Sequence, residues 1–350
     1  MLEKIAGVAL LTKLRAILLL EADFNQHNKL IFQHRMLALA RENGMIPEEI
    51  FSEKGKTAED AILQQVLMYD IARITKRPLL VAQVDASQCY DRVAHAMAAL
   101  TLRAYKVHNS SVLGMLRPLH CMEFYLRTGF GQSTSFCGGA AEGKHGLAQG
   151  NGAAPATWQQ ISSLMINAQH RQGHGVKIYT PISKRGVNQV GIVYVDDTNL
   201  CEGLEENDDI DAVVAKGQGA TNSWGNNLIA VGGALNGDKC AVAIHDMVPD
   251  GKGSWVYSDQ WKTTSSADEE DDELEELEDW YFSVPQAGSE AAQIKRLRSD
   301  QAVENLGLFV RPDGSPEKQF EVMREKITTW SGQIKNGVIP TRLVWMSYTH

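Results

Sequence analysis

The chain has 350 residues, of which 43% are hydrophobic, so it is long enough and apolar enough to bury a large core. This composition excludes a chain that is disordered throughout. Its five cysteines are odd in number and form no CxxC pair, so neither a disulfide framework nor a zinc site is indicated. The formal net charge of −9 argues at first against a nucleic-acid partner, because phosphate-binding proteins usually carry a basic surface.

The negative charge is concentrated in one segment. Residues 268–279 read DEEDDELEELED and contain ten acids and no base. Without those ten charges the formal net charge is +1, so the rest of the chain is close to neutral. Such a block is typical of a solvated, mobile insertion, and mimicry of nucleic acid or contact with a basic partner is the alternative interpretation.

The amino-terminal residues show no secretion signal. The apolar piece at residues 8–11 is followed by Lys13 and Arg15 before it is long enough to span a bilayer, and no small-residue cleavage site follows. Together with the scattered cysteines, this predicts an intracellular protein, nuclear or cytoplasmic, that does not enter a membrane.

Helical and strand-like patterns interleave irregularly along the chain, which predicts an α+β fold rather than a regular parallel α/β sheet. The predicted helices cover residues 28–41, 58–74, 92–104, 155–169, 209–228 and 319–335. The predicted strands cover residues 14–20, 79–84, 190–195, 240–244 and 254–257. Thr57 is the expected N-cap of the helix at 58–74, with Asp60 as a weaker form of capping-box partner.

Two of the predicted strands end in carboxylates. Asp85 follows the strand at 79–84, and Asp196 and Asp197 follow the apolar run at 190–195. Unpaired buried carboxylates are strongly disfavoured, so these acids belong at the rim of a sheet, where they are suitable oxygen ligands for Mg²⁺. For Asp196 and Asp197, a simple turn between two strands is the alternative.

If the two acid-bearing strands lie side by side, their carboxylates converge on a divalent cation, as phosphoryl transfer with two metal ions requires. A helix-capping role for Asp85 fits poorly, because the next predicted helix begins only at Arg92. Asp91, by contrast, suits a cap or a structural ion pair better than a metal ligand.

A glycine-rich loop leads into the helix at 155–169. Residues 146–158 read GLAQGNGAAPATW, and three glycines within seven residues permit tight turns and the close approach of a ligand. Pro155 suits the first turn of the helix, and Gln149 offers the donors and acceptors that a base or a sugar would need. Taken alone, the segment is an ordinary loop-to-helix junction.

The order of these three motifs resembles the palm of reverse transcriptases. A D-x-x-x-x-Y-D pattern at 85–91 is followed by GLAQGNGAAP at 146–155 and by YVDD at 194–197. Gln149 follows Asp85 by 64 residues and precedes Asp196 by 47, which agrees with that family. The likeness is closest to the enzymes of retrotransposons without long terminal repeats and their stand-alone cellular relatives.

Further segments agree with this resemblance. Residues 232–240 (GGALNGDKC) resemble the later palm motif with its lysine near the incoming nucleotide, and residues 306–309 (LGLF) resemble the strand that grips the primer. Residues 13–17 resemble the fingers segment that contacts the triphosphate, and residues 51–60 resemble the stretch between fingers and palm.

The resemblance implies a right-hand polymerase fold with fingers and palm, an antiparallel palm sheet flanked by helices, and a thumb that is largely missing. Residues 1–78 would form the fingers, and residues 79–257 the palm with some fingers elements. Residues 258–285 would be an acidic disordered insertion. Residues 286–350 would contain the primer-grip strand and the start of a thumb.

The resemblance also assigns the metal site. Asp85 and Asp196 would bind two Mg²⁺ ions, for which Mn²⁺ is a substitute, and Asp197 would support them. The backbone carbonyl of Ala86 would add a ligand. Lys239 would either donate a proton to the pyrophosphate leaving group or neutralise its charge.

The nucleotide site follows in the same way. Tyr90 would lie beneath the sugar, where its ring would clash with a 2′-hydroxyl and favour deoxynucleotides, with core packing as the alternative. Gln149 and Gly150 would border the nucleotide and the template. Arg15 would pair with a phosphate, for which its guanidinium is well shaped, with a surface role as the alternative.

The implied activity is RNA-directed DNA synthesis from deoxynucleoside triphosphates on an RNA template, with a DNA or RNA primer held at Leu306 and Gly307. The intact acids favour this activity. The short thumb and the acidic segment favour an inactive or truncated retroelement-derived protein that binds nucleic acid or acts as a scaffold. An RNA-directed RNA polymerase is a further alternative, against which Tyr90 and Val195 count.

Overall fold

The computed structural model describes residues 2, 3, 14, 15, 18–128, 131–136, 145–180, 182, 183, 185–206, 208–260, 281–286, 288 and 290–336. The acidic block at 268–279 lies outside these residues. Within the described ranges, no helix combines the length and the apolar character needed to cross a membrane.

The α+β fold class is confirmed, with helices packed against both faces of one sheet. The helices are, in chain order, α1 (Ala22–Asn28), α2 (Leu37–Glu42), α3 (Ala58–Thr75), α4 (Cys89–Arg92), α5 (His95–Ala104), α6 (Asn109–Cys121), α7 (Ala154–Gln172), α8 (Ile210–Ala230) and α9 (Glu317–Asn336). A π-helical segment, Lys29–Met36, joins α1 to α2, and a 3-10 turn covers Gly237–Lys239.

The strands of the described residues are short, and most of them lie in the second half of the chain. In chain order they are β1 (Leu2–Glu3), β2 (Leu14–Arg15), β3 (Leu79–Asp85), β4 (Arg127–Thr128), β5 (Gly131–Gln132), β6 (Val176–Tyr179), β7 (Gly186–Gln189), β8 (Gly191–Tyr194), β9 (Asp197–Gly203), β10 (Ala241–His245), β11 (Met247–Pro249), β12 (Trp255–Tyr257), β13 (Tyr281–Val284), β14 (Ala292–Leu297), β15 (Val303–Asn305) and β16 (Leu308–Val310).

The central sheet has eight strands in the order β13-β14-β10-β3-β9-β6-β7, with β8 also paired to β9. Its pairs are antiparallel except for β10 with β14 and β6 with β9. β3 lies in the middle, and its pairing with β9 runs from Leu79 opposite Gly203 to Asp85 opposite Asp197. The last residue of β3 and the first residue of β9 are therefore acids that lie opposite each other, at the same edge of the sheet.

Alternate side chains of β3 enter two separate cores. Leu80, Ala82 and Val84 face the larger core, to which α5, α6, α7 and α8 contribute, whereas Leu79 and Val81 face a smaller core covered by α3. Because side chains alternate along a strand, the odd-numbered residues at the end of β3, including Asp85, lie on the side of α3.

The predicted cap of α3 is confirmed. The Thr57 side chain accepts a hydrogen bond from the backbone N–H of Asp60 at 3.2 Å, and the Asp60 carboxylate accepts one from the backbone N–H of Thr57 at 2.8 Å. The helix ends at Thr75, and its C-cap residue Lys76 is left-handed with a φ of +58°, shortly before Pro78. This cap and this stop fix where β3 begins.

Strands lie both within and after the predicted acidic insertion. Tyr281–Val284 forms a strand paired with β14, so the disordered insertion predicted at 258–285 is too long at its C-terminal end. The central sheet also continues beyond residue 257, through β13 and β14. The neighbouring acidic composition dominates the local pattern there, whereas the pairing that orders these strands is long-range.

The predicted primer-grip strand at 306–309 is part of a hairpin. Leu306 and Gly307 form the turn between β15 and β16, with φ angles of +50° and +85°, and only the following residues extend as a strand. Two positive φ angles in a two-residue turn are favoured by the right-handed twist of the strands that it joins.

Candidate active site

The acid pair lies at the tip of the β8–β9 hairpin. Tyr194 is paired with Asp197, so Val195 and Asp196 form a two-residue turn. Val195 has a φ of +59°, a strained conformation for a β-branched residue. Its carbonyl accepts a hydrogen bond of 2.7 Å from the indole nitrogen of Trp158, which holds the turn in this shape. From the sequence, a simple turn is the alternative to a pair of acids at the rim of the sheet. In the structure the acids lie at the rim because one of them is part of the turn.

The third acid lies opposite this hairpin. Asp85 and Asp197 are directly opposed in the antiparallel β3–β9 pair, and the side chains of opposed residues share one face with Cβ atoms about 4.5–5.5 Å apart. The backbone N–H of Ala86 donates to the carbonyl of Asp196 at 3.4 Å and joins the ends of the two segments. Three carboxylates thus gather at one edge of the sheet.

The electrostatic consequence is clearest at Asp197. Burial, and then the nearby carboxylates of Asp196 and Asp85, raise the pKa of Asp197 to about 6, while Lys239 opposes the shift. Burial and like charges both disfavour the ionised form. A proton or a bound cation at Asp197 would therefore stabilise the cluster.

Two residues from the 232–240 segment hold Asp85. The side-chain amide of Asn236 donates to Oδ2 of Asp85 at 3.1 Å, and its backbone N–H donates to the Asp85 carbonyl at 2.9 Å. Nζ of Lys239 lies 3.6 Å from the same Oδ2. Sequence reasoning singled out Lys239 and gave no role to Asn236, although an Asn before Gly at a turn is a recognisable signal.

The carboxylate oxygens are the kind of ligand that a hard divalent cation takes. In the part of the chain that the structure describes, no three His, Cys, Asp or Glu side chains are already arranged to hold a metal ion. The oxygens of Asp85, Asp196 and Asp197 would therefore have to converge further on an ion. Burial and the nearby carboxylates raise the pKa of Asp197, and such an ion would offset both effects.

Tyr90 lies in the short helix α4 that follows Asp85. Its ring is partly buried against the larger core, and burial, together with Cys89 and Asp196, raises its pKa. The Tyr90 side chain therefore both packs against the larger core and lies near Asp196.

The glycine-rich loop is attached to α4 and the residues after it. The backbone N–H of Leu147 donates to the carbonyl of Tyr90 at 2.7 Å, and that of Gly146 donates to the carbonyl of Val93 at 2.8 Å. Gly146 has a φ of +92°, and a Cβ there would lie 3.1 Å from the carbonyl oxygen of Asp91. The glycine is therefore required by both its conformation and its close neighbour.

The other side of the loop is held by the chain before and within α1. The backbone N–H of Leu18 donates to the carbonyl of Gln149 at 2.8 Å. The side-chain amide of Asn25 donates to the carbonyl of Gly150 at 3.0 Å, and its oxygen accepts from the N–H of Gly152 at 2.6 Å. The predicted nucleotide loop is thus held by hydrogen bonds to its backbone. The side chain of Gln149 takes no part in these contacts.

The remaining predicted residues are placed differently. Leu306 and Gly307 lie at the turn of the β15–β16 hairpin, which contacts β3 through a hydrogen bond of 3.1 Å from the Gln83 side chain to the Glu304 carbonyl. For Arg15 only the backbone is described, in β2, so its role stays a prediction.

No protein-family model and no curated protein matches this sequence. Among solved structures, the apo telomerase of Candida tropicalis truncated from its C-terminal domain aligns at 14% identity over 66% of this chain and 42% of that chain, with a TM-score of 0.44. The telomerase of Candida albicans in complex with the TWJ fragment of telomeric RNA aligns at 14% identity over 63% and 34%, with a TM-score of 0.38.

An insertion-loop deletion mutant of the RNA-dependent RNA polymerase of a human picobirnavirus aligns at 16% identity over 71% of this chain and 44% of that chain, with a TM-score of 0.37. The chain spans less than half the length of each of these three proteins. At these identities and TM-scores, the likeness carries no argument about the activity of this chain.

Proposed function

We propose that the protein is a template-directed nucleotidyltransferase that makes DNA on an RNA template. The observation that supports this function best is the register of β3 and β9, which sets Asp85 opposite Asp197 with Asp196 in the adjoining turn. The same three acids belong to two of the three motifs whose order resembles that of reverse transcriptases. In the reaction, the 3′-oxygen of a primer attacks the α-phosphorus of a deoxynucleoside triphosphate, and pyrophosphate leaves.

In this proposal Asp85 and Asp196 hold two Mg²⁺ ions, Asp197 supports them, and the carbonyl of Ala86 adds a ligand. When bound, such ions activate the attacking oxygen and stabilise the leaving one. The acids themselves position the reacting groups at the end of β3 and β9, where a rigid sheet limits their movement.

In this proposal Lys239 pairs first with Asp85 and then with the pyrophosphate leaving group. It lies beside Asp85, and its side chain is 68% exposed, so it is free to turn outward. With Mg²⁺ held by Asp85, the ammonium group of Lys239 would be available to the pyrophosphate. There it either neutralises the charge or donates a proton.

The substrate contacts are proposed from the resemblance together with the positions described above. Tyr90 limits the space beneath the sugar, and Gln149 and Gly150 border the nucleotide and template. Leu306 and Gly307 hold the primer end, and Arg15 pairs with a phosphate.

The proposal is tested by primer extension. The wild type should incorporate deoxynucleotides on an RNA template in Mg²⁺, and Asp196→Ala should lower the rate about 100-fold or more because charge stabilisation by a metal site is worth several kcal/mol. Asp211→Ala, which removes an exposed acid in the first turn of α8, is the matched control and should leave the rate unchanged.

Equal incorporation by the wild type and Asp196→Ala would contradict the assignment of the acids. Incorporation of ribonucleotides alone would instead identify an RNA-directed RNA polymerase. No incorporation by the wild type on RNA or DNA templates, in either Mg²⁺ or Mn²⁺, would support an inactive nucleic-acid-binding or scaffold protein.

A further inference from the structure

Directly behind the acids, the sheet carries polar rather than apolar residues. Gln83 and Asn199 are opposite each other in the β3–β9 pair, each two positions from the acid of its strand, Asp85 or Asp197. Since residues two apart in a strand share a face, these amides lie on the same side of the sheet as the carboxylates. They separate the acids from the apolar part of the smaller core.

A buried glutamine of α3 links this pair to the β15–β16 hairpin. Oε1 of Gln65 accepts hydrogen bonds from the side-chain amides of Asn305 at 2.5 Å and Asn199 at 3.4 Å. Its own amide nitrogen donates to the hydroxyl of Tyr69 at 2.8 Å, which orients the glutamine within α3. Gln65, Asn199 and Asn305 are all at most 3% exposed.

The hairpin is therefore tied to both acid-bearing strands. Asn305 connects the hairpin through Gln65 to β9. The side-chain amide of Gln83 donates to the carbonyl of Glu304 at 3.1 Å and connects the hairpin to β3. The residue after Asn305 is Leu306, the first of the turn. We name the side chains of Gln65, Gln83, Asn199 and Asn305 the polar ladder.

The polar ladder contributes less to stability than apolar side chains at the same positions would. The side-chain oxygens of Gln83, Asn199 and Asn305 accept no hydrogen bond among the described residues, and buried acceptors of this kind reduce stability. The hairpin already packs on the smaller core through Val310 and Leu308, and apolar contacts of this kind avoid that loss. Directional hydrogen bonds, by contrast, define one position of the hairpin, whereas apolar contacts permit it to slide.

We propose that Gln65 and Asn305 are positioning residues, which set the β15–β16 hairpin at a fixed place relative to Asp85 and Asp197. The hairpin's turn then holds a primer end at a constant distance from the carboxylates. This second statement rests on the proposed function. Neither residue touches a substrate, so both act through the hairpin.

The first test measures the hairpin itself. Gln65→Met keeps the length of the side chain and removes its hydrogen bonds, so amide hydrogen exchange in residues 303–310 should become about 10-fold faster while β3 and β9 keep their protection. Gln160→Met is the matched control, because Gln160 is fully buried in α7 and its amide atoms have no hydrogen-bond partner in the part of the chain described. It should leave exchange in the hairpin unchanged.

The second test uses primer extension with these same two proteins. Gln65→Met should raise KM for the primer–template about 10-fold and leave kcat within about 2-fold, because binding is weakened while the acids stay in place. Gln160→Met should change neither value. If Gln65→Met does not fold, Asn305→Leu removes the other end of the same hydrogen bond and has the same expected results.

The outcomes are separable. Unchanged exchange at 303–310 in both Gln65→Met and Asn305→Leu would overturn the positioning role. Faster exchange with an unchanged KM would overturn the link to the primer. If the wild type itself incorporates nothing, the proposed function fails, and hydrogen exchange still decides whether the polar ladder positions the hairpin.

Discussion

At the scale of single residues, Asp197 has the clearest link between structure and pH. The pKa of an ordinary Asp is 3.8 and that of Asp197 is about 6, so between these values the folded protein holds a proton that the unfolded chain has lost. The free energy of unfolding therefore falls as the pH rises through this window, and the loss persists at higher pH. The ionised cluster is destabilising when no metal ion is bound, because Lys239 offsets only part of the shift.

From this we predict that Asp197→Asn stabilises the metal-free protein. At pH 7.5 in the presence of a chelator, its Tm should be about 2–5 °C above that of the wild type, because the amide carries no charge. At pH 5 the difference should shrink, since Asp197 is then mostly protonated. Thermal denaturation at the two pH values is the measurement, and a lower Tm for the variant at pH 7.5 would contradict the assigned repulsion.

Tyr90 provides a second prediction at this scale. Tyr90→Ala should raise the use of ribonucleotides relative to deoxyribonucleotides about 10- to 100-fold, because the space beneath the sugar then accepts a 2′-hydroxyl. The ratio is the proper measurement, since Tyr90 also packs against the larger core and its loss lowers activity in general. Tyr90→Phe keeps the ring and should keep the ratio. An unchanged ratio in Tyr90→Ala would show that the ring does not limit the sugar.

At the scale of elements, the β8–β9 hairpin depends on a contact from α7. The indole of Trp158 is the donor to the carbonyl of Val195, next to Asp196. We predict that Trp158→Phe lowers kcat about 10- to 100-fold with little change in KM, because small displacements of reacting groups have effects of this size. Trp224→Phe, at a buried tryptophan of α8, is the control. Equal kcat values for wild type and Trp158→Phe would mean that the turn holds its shape without the indole.

The same elements show what could be predicted from the sequence. The cap at Thr57 and the strand from Leu79 to Asp85 have local causes, namely a side-chain hydrogen bond and an apolar run, and both predictions are confirmed. The partners of that strand are long-range: β9 and β10 lie more than 100 residues further along the chain. No local pattern specifies such pairing, which is why β13 was predicted to be disordered.

For the candidate site, the sequence predicted the three acids and Lys239 from motif order and strand ends, and the structure brings these residues near one another. The sequence did not identify the supporting contacts of Asn236 and Trp158. Their roles depend on which carbonyl or carboxylate lies within hydrogen-bond distance, and this is decided only when separate segments have packed.

At the scale of the whole molecule, the acidic block dominates the charge. Replacement of residues 268–279 by a Gly/Ser segment of equal length changes the formal net charge from −9 to +1. We predict that this variant binds single-stranded RNA about 10-fold more tightly at low salt and that the difference decreases as salt is added, because repulsion of phosphates is screened. Filter binding across a salt series measures it.

A scrambled version of the same twelve residues retains the charge and serves as the control, so it should bind as the wild type does. Weaker binding after replacement would instead indicate that the acidic block contributes a contact to the complex.

The central place of β3 also has a consequence for biosynthesis. The strand is complete at residue 85, whereas its first sheet partner, β9, begins at residue 197. At ribosomal rates of about 5–20 residues per second, roughly 5–20 s separate the two events. During that interval a mostly apolar strand has both of its edges unpaired. Nascent chains are therefore most prone to aggregation before β9 has paired with β3.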